Sequence, residues 1–223
     1  MPTAPEFKAP FLPECYYHIV CKSIDGILLF KEDIDYSVFV RRFHQFTNDI
    51  LDVWSYSLLP NHTHHIVKIK SLAAIVENIN KISTPTLSMQ SLIADQHNDA
   101  LFDTMIERQM NSFLVSYANY TNNKYQRKGG LFQKPFRRIE ISDDIYLQHA
   151  IIYVHANAQK HNIISDFKQH PNNSYKVILA NDATFVDINS VLNFFESHEK
   201  FIAIHKDQVE FYYKNDWPGS KLE

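Results

Sequence analysis

Two histidines one residue apart, His62 and His64, directly follow the dipeptide Pro60-Asn61. Pro-Asn favours a tight turn, and the residues after it are typical of a β-strand. Alternate side chains of a strand point to the same face, so both imidazoles could bind one metal ion, while His65 would point to the opposite face. A strand would also hold such a pair rigidly. The alternative is an ordinary polar sequence at a hairpin edge, because a His-x-His pair alone is a weak signal for a ligand set.

A tyrosine and an asparagine share one face of a predicted helix that begins near Asp143 or Asp144 and ends near His161. Tyr153 and Asn157 are four residues apart, which places them side by side. The tyrosine hydroxyl could act as a nucleophile, and the amide could serve as a third metal ligand. The alternative is a buried core tyrosine whose hydroxyl is satisfied by hydrogen bonds.

The chain has a formal net charge of −3, but its cations are unevenly distributed. One stretch without an acidic residue contains Lys124, Arg127, Lys128, Lys134, Arg137 and Arg138. A basic patch of this kind can neutralise phosphates even on an acidic protein, so these side chains are candidates for binding a nucleic acid. The alternative is a solvated surface loop.

The spacing of apolar residues predicts the elements that position these groups. Strands are predicted over residues 16–23, 53–59, 62–70 and 138–141, and helices over 36–50, 72–82, 106–125, 144–161 and 189–196. Asp35 is a plausible cap for the first helix. The order β-α-β-β-α-β followed by a further helix is that of a ferredoxin-like split βαβ sandwich, an α+β fold with an antiparallel sheet and helices on one face.

Length and composition exclude some classes of protein. The 223 residues, 45% of them hydrophobic, are enough for one domain with a real core. No apolar run reaches the 18 residues or so of a membrane-spanning helix, and Met1 to Pro10 lacks the pattern of a signal peptide. Cys15 and Cys21 would form a poor bridge within one strand, so they are interpreted as free thiols in a reducing compartment. The expected location is the cytoplasm.

Five segments in collinear order resemble one known family, the single-tyrosine HUH transposases, and especially the REP-associated tyrosine transposases. The stretch from Leu58 to Val67 is similar to their "PNHxHxxV" strand, and Met110 to Phe136 to their second helix and the "GxLxQxxF" segment after it. Ile152 to Asn157 resembles "YIHxNP", the family's catalytic helix. Similarity continues from Tyr17 to Tyr36 and from Phe185 to Glu199, so it spans nearly the whole chain.

The resemblance implies an activity and a set of site residues. Tyr153 would be the nucleophile that cleaves and rejoins single-stranded or hairpin DNA through a 5′-phosphotyrosine. His62, His64 and Asn157 would hold a divalent metal ion, Mg²⁺ or Mn²⁺. The basic segment would bind the DNA backbone, and the protein would be a transposase or site-specific endonuclease in a bacterial, nucleoid-associated setting. A homodimer is possible, since relatives of this fold act either as dimers or as monomers.

The resemblance also divides the chain. It implies an N-terminal arm (1–13), a transposase-like catalytic domain (14–165) with a probable insertion (83–105), and a C-terminal extension (166–223). The chain departs from the family pattern at Thr63, usually hydrophobic, at Ala158, commonly proline, and at residues 21–23, which replace an Asn-Arg-Gly turn.

Two alternatives to an active transposase remain open. One is a domesticated, non-transposing DNA-binding protein of the same fold. The other is an unrelated ferredoxin-like domain that binds a metal or regulates a partner.

Overall fold

Four antiparallel strands form the centre of the molecule in a computed structural model that describes residues 7–181 and 185–214, with side chains to residue 209. The strands are β1 (Tyr16–Lys22), β2 (Leu51–Leu59), β3 (His62–Ile69) and β4 (Arg137–Ile141). Their order in the sheet is β2-β3-β1-β4, with every neighbouring pair antiparallel. This is the ferredoxin-like order, and it confirms the predicted fold class.

Helices cover both faces of the sheet. They are α1 (Asp33–Thr47), α2 (Leu72–Asn80), α3 (Leu87–Ala94), α4 (Asp99–Lys124), α5 (Asp144–Lys160), α6 (Ser174–Ala180), α7 (Ile188–Phe194) and α8 (His198–Lys214). α1 packs against α4, and the Phe39 and Phe43 rings of α1 stack on His65 of β3. α5 packs against β2 and β3 on the other face, where the ring of Tyr153 lies near that of His64. The predicted catalytic helix is therefore separated from the α1–α4 layer by the sheet.

The strand register determines which residues share the α5 face. Lys22 pairs with His62, and Val20 pairs with His64. Directly paired residues of antiparallel strands point to the same side, and every second residue repeats that direction. His18 and Lys22 of β1 therefore lie on the same face of the sheet as His62 and His64.

The start of α1 differs from the sequence prediction by one turn. Glu32, and not Asp35, is the N-cap, and Asp35 occupies the third helical position of a capping box. Asp35 is fully buried and accepts hydrogen bonds from the hydroxyls of Tyr120 and Tyr125. Its carboxylate thus joins the start of α1 to the end of α4.

The segment predicted as an insertion, residues 83–105, is largely helical. It forms α3 and the first turns of α4, which begins at Asp99 after the side-chain cap Asn98. Phe102 and Met105 are buried, so this segment contributes to the core. The polar sequence around these two residues hid the helical pattern, and the predicted helix therefore began at residue 106.

The C-terminal extension covers the outer edge of β2. Asn173 forms a bridge with Ser57, and Val186 forms one with Val53, so an edge that would otherwise be exposed is paired. α8 packs on α5. Of the predicted arm and extension, residues 1–6, 182–184 and 215–223 lie outside the described part of the chain.

Two expectations about chemistry and environment can be compared with the structure. Cys15 and Cys21 are both free thiols, as predicted. Among the helices of the described ranges, none is both long enough and apolar enough to cross a membrane.

Candidate active site

Two buried imidazoles on β3 have their Nδ1 atoms engaged and their Nε2 atoms available. His62 Nδ1 donates to Asn61 Oδ1 at 2.7 Å, and His64 Nδ1 bonds to His18 Nε2 at 2.9 Å. His62 is 6% exposed and His64 is fully buried. Neither Nε2 has a hydrogen-bond partner among the described residues. A buried polar atom without a partner is costly, so these two nitrogens suit a ligand that is bound between them.

The hydrogen bonds also fix the ring chemistry. Because a carbonyl oxygen can only accept, His62 Nδ1 carries the proton in its bond to Asn61, and neutral His62 therefore presents a lone pair at Nε2. Bonds at the second ring nitrogen are what orient histidines that bind metals. Asn61 and His18 take these orienting positions for His62 and His64.

Burial keeps the imidazoles of this face uncharged. It lowers the pKa of His18 and of His62 to about 3. The electrostatic repulsion of His161 and Lys22 contributes to the lowered pKa of His62. Burial likewise holds the pKa of His64 well below its usual range. The three side chains are neutral at pH 7, and neutral imidazole is the form that binds metal ions.

The predicted nucleophile lies against this cluster. The ring of Tyr153 is 6.0 Å from that of His64 and 6.1 Å from that of His18, centre to centre. Asn157 follows one turn later on α5 and is fully buried. Lys160 places its Nζ 4.9 Å from the centre of the Tyr153 ring. Tyr153 is only 1% exposed, so a macromolecular substrate does not reach its hydroxyl without local rearrangement.

A cavity of about 400 Å³ opens beside His62. It is lined by Lys22, Leu28, Pro60, Asn61, His62, His161 and Ile163. His161 caps the C-terminus of α5, and its ring is 5.4 Å from that of His62. Burial, together with the charges of Lys160 and Lys22, lowers the pKa of His161. A larger cavity, about 690 Å³, lies between α3 and α4, but no histidine, tyrosine or acidic residue lines it.

The sequence prediction missed two members of this cluster, His18 and Lys22. His18 and Lys22 are four residues apart on β1, so the sequence shows that they share one face of the strand. Which other residues lie on that face depends on the register between β1 and β3, which the sequence does not give. His65 was expected on the opposite face, and it is there. Its Nε2 bonds to Thr63 Oγ1 at 3.1 Å, and its ring stacks on Phe43 at 4.4 Å.

The donor set at this site is mixed. Within the described ranges, no group of three or more His, Cys, Asp and Glu side chains is arranged to hold a metal ion. The predicted set of His62, His64 and Asn157 has two imidazoles and one amide, which is a different combination. Its fit to a metal ion rests on the two buried Nε2 atoms.

One predicted DNA contact, Arg138, is corrected by the structure. Its side chain is 2% exposed and bonds to Asp103 and Glu107, each at 3.0 Å, and to the carbonyl oxygen of Ala9 at 2.6 Å. The guanidinium also lies 4.3 Å from the centre of the Phe11 ring. These partners occupy its donors in the interior, so Arg138 holds β4, α4 and the N-terminal arm together and is not presented to a phosphate.

The other predicted cations do not form one uniform patch. Lys124 bonds to Asp35 at 2.8 Å and to Glu32 at 3.0 Å, and Arg127 bonds to Asn122 at 2.9 Å. Arg137 is half-buried. Lys128 and Lys134 are exposed. The exposed part of the predicted basic segment is therefore its middle, and the two ends are engaged in the fold.

Comparison with known proteins bears on the fold. The sequence matches no protein-family model. No curated protein matches it either. Among solved structures, a REP-associated tyrosine transposase bound to a REP hairpin matches with a TM-score of 0.52 and 12% identity, over 79% of this chain and 86% of that one. A bacterial tRNA(His) guanylyltransferase-like protein in complex with ATP matches with a TM-score of 0.39 and 11% identity, over 84% and 72%, which is too loose to define a shared fold. The chain has the fold of a REP-associated tyrosine transposase.

Proposed function

We propose that this protein is a DNA strand transferase of the single-tyrosine HUH class, acting on single-stranded or hairpin DNA. The observation that carries the proposal is the placement of Tyr153 beside His64, one of two buried histidines whose Nε2 atoms have no partner in the described chain. The shared fold supports it, since the neighbour is a tyrosine transposase whose structure contains a hairpin.

In the proposed reaction the phenolic oxygen of Tyr153 attacks a backbone phosphorus. A bond forms between the phenolic oxygen and the phosphate at the 5′ end of the downstream strand, as the bond to the leaving 3′ oxygen of the upstream strand breaks. The phenol loses its proton, and the leaving oxygen gains one to become a 3′-hydroxyl. The number of phosphodiester bonds is conserved, so a 3′-hydroxyl can later attack the phosphotyrosine and rejoin the strand without ATP.

His62, His64 and Asn157 would hold Mg²⁺ or Mn²⁺. Such an ion, when bound, would polarise the scissile phosphate and offset the charge that develops on its oxygens. The residues of the chain supply the framework. Asn61 and His18 bond to the Nδ1 atoms and so orient the Nε2 atoms, and burial keeps the imidazoles neutral.

DNA would approach from the side of the cavity beside His62. Because Tyr153 is 1% exposed, DNA binding has to open the region around the C-terminal end of α5, where Lys160 lies over the tyrosine ring. Lys128 and Lys134 are the best exposed members of the basic segment and would contact phosphates further along the strand.

Cleavage of a labelled hairpin DNA in Mn²⁺ tests the proposal. The double variant His62→Gln, His64→Gln keeps hydrogen-bonding side chains of similar length but replaces both imidazoles. It should lose metal-dependent cleavage. The matched control is His65→Gln, a buried histidine on the same strand with its side chain on the opposite face. This control should cleave normally in folded protein, with folding checked by circular dichroism. Wild-type cleavage by the double variant would contradict the proposed site.

The burial of Tyr153 also supports a second candidate, a hairpin-binding protein that no longer cleaves. Such a protein would bind hairpin DNA in EDTA as well as in Mn²⁺ and would form no covalent adduct. Binding and cleavage measured on the same hairpin separate the two functions.

A further inference from the structure

The cavity beside His62 has the chemistry of a site for an anionic ligand. None of its seven lining residues is acidic, and one of them is Lys22. Lys22 forms no ion pair within the described residues, so its ammonium group is available to an incoming anion. The backbone of Lys22 is held, because it pairs with His62 where β1 ends and β3 begins.

The cavity adjoins the proposed metal site. His62 borders it, is 6% exposed, and has a buried Nε2 without a partner in the described part of the chain; this atom presents a lone pair, so the contacts to an anion come from the neighbouring residues. Asn61 accepts the bond from His62 through its side-chain oxygen, which leaves its amide nitrogen to donate to a further acceptor. Lys22 and Asn61 thus provide a charged and a neutral donor to the cavity.

Three other residues of the lining are apolar. Leu28 is 48% exposed and Ile163 is 45% exposed, and Pro60 lies next to Asn61. Large aliphatic side chains left exposed around a polar pocket suit a ligand with a flat apolar surface. The volume of about 400 Å³ falls within the range of roughly 300–1,000 Å³ that small-molecule pockets occupy. A single nucleotide has both features, because it joins an anionic phosphate to a flat base.

We propose that this cavity binds the unpaired nucleotide that adjoins the cut, with its phosphate on Lys22 and Asn61 and its base between Leu28 and Ile163. The position of the cut rests on the proposed function. Aliphatic side chains do not recognise the hydrogen-bonding edges of bases, so the pocket accepts any base and positions the strand without reading its sequence. Lys22 and Asn61 are positioning residues in this scheme.

Binding of a fluorescent ten-thymidine oligonucleotide, measured by anisotropy in EDTA from 50 to 200 mM KCl, tests the pocket without cleavage. Lys22→Ala should weaken binding by roughly tenfold and reduce the slope of log K against log salt by about 0.7, the value of one phosphate contact on a single strand. Lys22→Arg should restore the slope. Leu28→Ser with Ile163→Ser should weaken binding by about fivefold and leave the slope unchanged, because only apolar contact is lost. The control Lys81→Ala removes an exposed lysine of another surface and should bind like the wild type.

An unchanged affinity and an unchanged salt slope in Lys22→Ala would overturn the proposal that this pocket binds a nucleotide. A second measurement, covalent adduct formation in Mn²⁺, separates this failure from failure of the proposed function. An adduct formed by the wild type, together with binding that does not depend on Lys22, overturns the pocket alone. Binding that depends on Lys22, together with no adduct, supports the pocket and overturns the proposed cleavage. A wild-type protein that neither binds the oligonucleotide nor forms an adduct overturns both.

Discussion

His18 shows how a single buried side chain could control a metal ligand. Its Nε2 bonds to His64 Nδ1 at 2.9 Å, and both side chains are fully buried. In the proposed metal site, His18 fixes the direction of the His64 lone pair. Residues that hydrogen-bond to metal ligands orient the ligands in this way.

Replacement of His18 by Ala should therefore weaken Mn²⁺ binding by about 10- to 100-fold, measured by isothermal titration calorimetry. His18→Asn, which can still bond to His64 Nδ1, should recover part of the affinity. Equal affinities for Mn²⁺ in the wild type and in folded His18→Ala would contradict this role of His18.

Arg138 provides a test that separates a structural role from DNA binding. Arg138→Ala leaves Asp103 and Glu107 without their buried partner, so it should lower the free energy of unfolding by about 3 kcal/mol. The exposed Lys134 is the control, and Lys134→Ala should change stability by less than about 0.5 kcal/mol. Urea denaturation measures both. If Arg138→Ala instead matched the wild type in stability but bound DNA more weakly, the original prediction of a DNA contact would be correct.

The sequence grouped the candidate side chains better than it identified the partners of the basic residues. His62 and His64 were selected from spacing, and Tyr153 from spacing and the family resemblance; all three lie on the same side of the sheet. The segment from Lys124 to Arg138 contained no acid, but Asp103 and Asp35 lie far from it in sequence and reach Arg138 and Lys124 through the fold. Local charge in a sequence cannot show which distant carboxylate will neutralise it.

At the scale of elements, α5 is held by a hydrogen-bonded chain that begins at β2 and ends in α8. The Tyr56 N–H donates to Ser174 Oγ at 2.9 Å, and Ser174 Oγ bonds to His155 Nε2 at 2.7 Å. His155 Nδ1 bonds to His205 Nε2 at 2.8 Å, and His205 Nδ1 bonds to the carbonyl oxygen of Phe201 at 2.7 Å. Because that carbonyl only accepts, His205 Nδ1 donates. When both imidazoles are neutral, His155 Nδ1 donates to His205 Nε2, and the Ser174 hydroxyl donates to His155 Nε2.

Removal of the serine hydroxyl should break this chain at its centre. Ser174→Ala leaves the buried His155 Nε2 and the Tyr56 N–H without a partner, so it should lower the free energy of unfolding by about 3 kcal/mol in urea denaturation. Ser37→Ala, on the exposed side of α1, should have an effect within about 0.5 kcal/mol. Equal stability of the two variants would mean that the chain of bonds does not hold α5.

Elements whose apolar residues recur at a regular spacing were predicted to within a few residues of their ends. Elements that depend on tertiary contacts were not predicted. β1, β3 and α5 follow alternating or helical apolar patterns, and the structure has them close to the predicted bounds. The apolar segment from Tyr175 to Leu179 was too short to identify, and α8 was not predicted. α6 and α8 are completed by packing of Tyr175, Phe201 and His205 against His155, which are contacts that no local pattern reports.

At the scale of the molecule, buried histidines make stability depend on pH. Burial lowers the pKa of His18, His62, His65 and His205 to about 3 in the folded protein. The unfolded chain binds protons near pH 6.5, so stability is fully present above that pH and is lost as the pH falls from about 6.5 towards 3. Each such histidine costs about 1.4 kcal/mol between pH 7.5 and 5.5.

Urea denaturation in EDTA at pH 7.5 and 5.5 should therefore show a loss of at least about 3 kcal/mol, with several histidines acting together. His65→Phe keeps an aromatic ring on Phe43 and removes one titrating group, so the loss should shrink by about 1.4 kcal/mol. The same free energy of unfolding at both pH values would contradict the neutral, buried state of these imidazoles.

The sheet topology was predicted from the order of the elements, whereas the burial of the candidate nucleophile was not. Ferredoxin-like order follows from β-α-β-β-α-β, and the sheet has it. That Tyr153 would be 1% exposed depends on how closely α5 lies on β2 and β3 and on the packing of α8 against it. These are consequences of tertiary packing, which a helical pattern does not specify.

The most direct test of the central claim is the identity of the residue that becomes covalently joined to DNA. The protein is incubated with a labelled single-stranded hairpin DNA and Mn²⁺, resolved on a denaturing gel, and the adduct is digested for peptide mapping. We expect a phosphotyrosine in the peptide from Leu147 to Lys160 and no adduct from Tyr153→Phe, which loses one oxygen and should still fold and bind the hairpin. An adduct that persists in Tyr153→Phe, or one that maps to Tyr117, Tyr120 or Tyr146, would contradict the role of Tyr153.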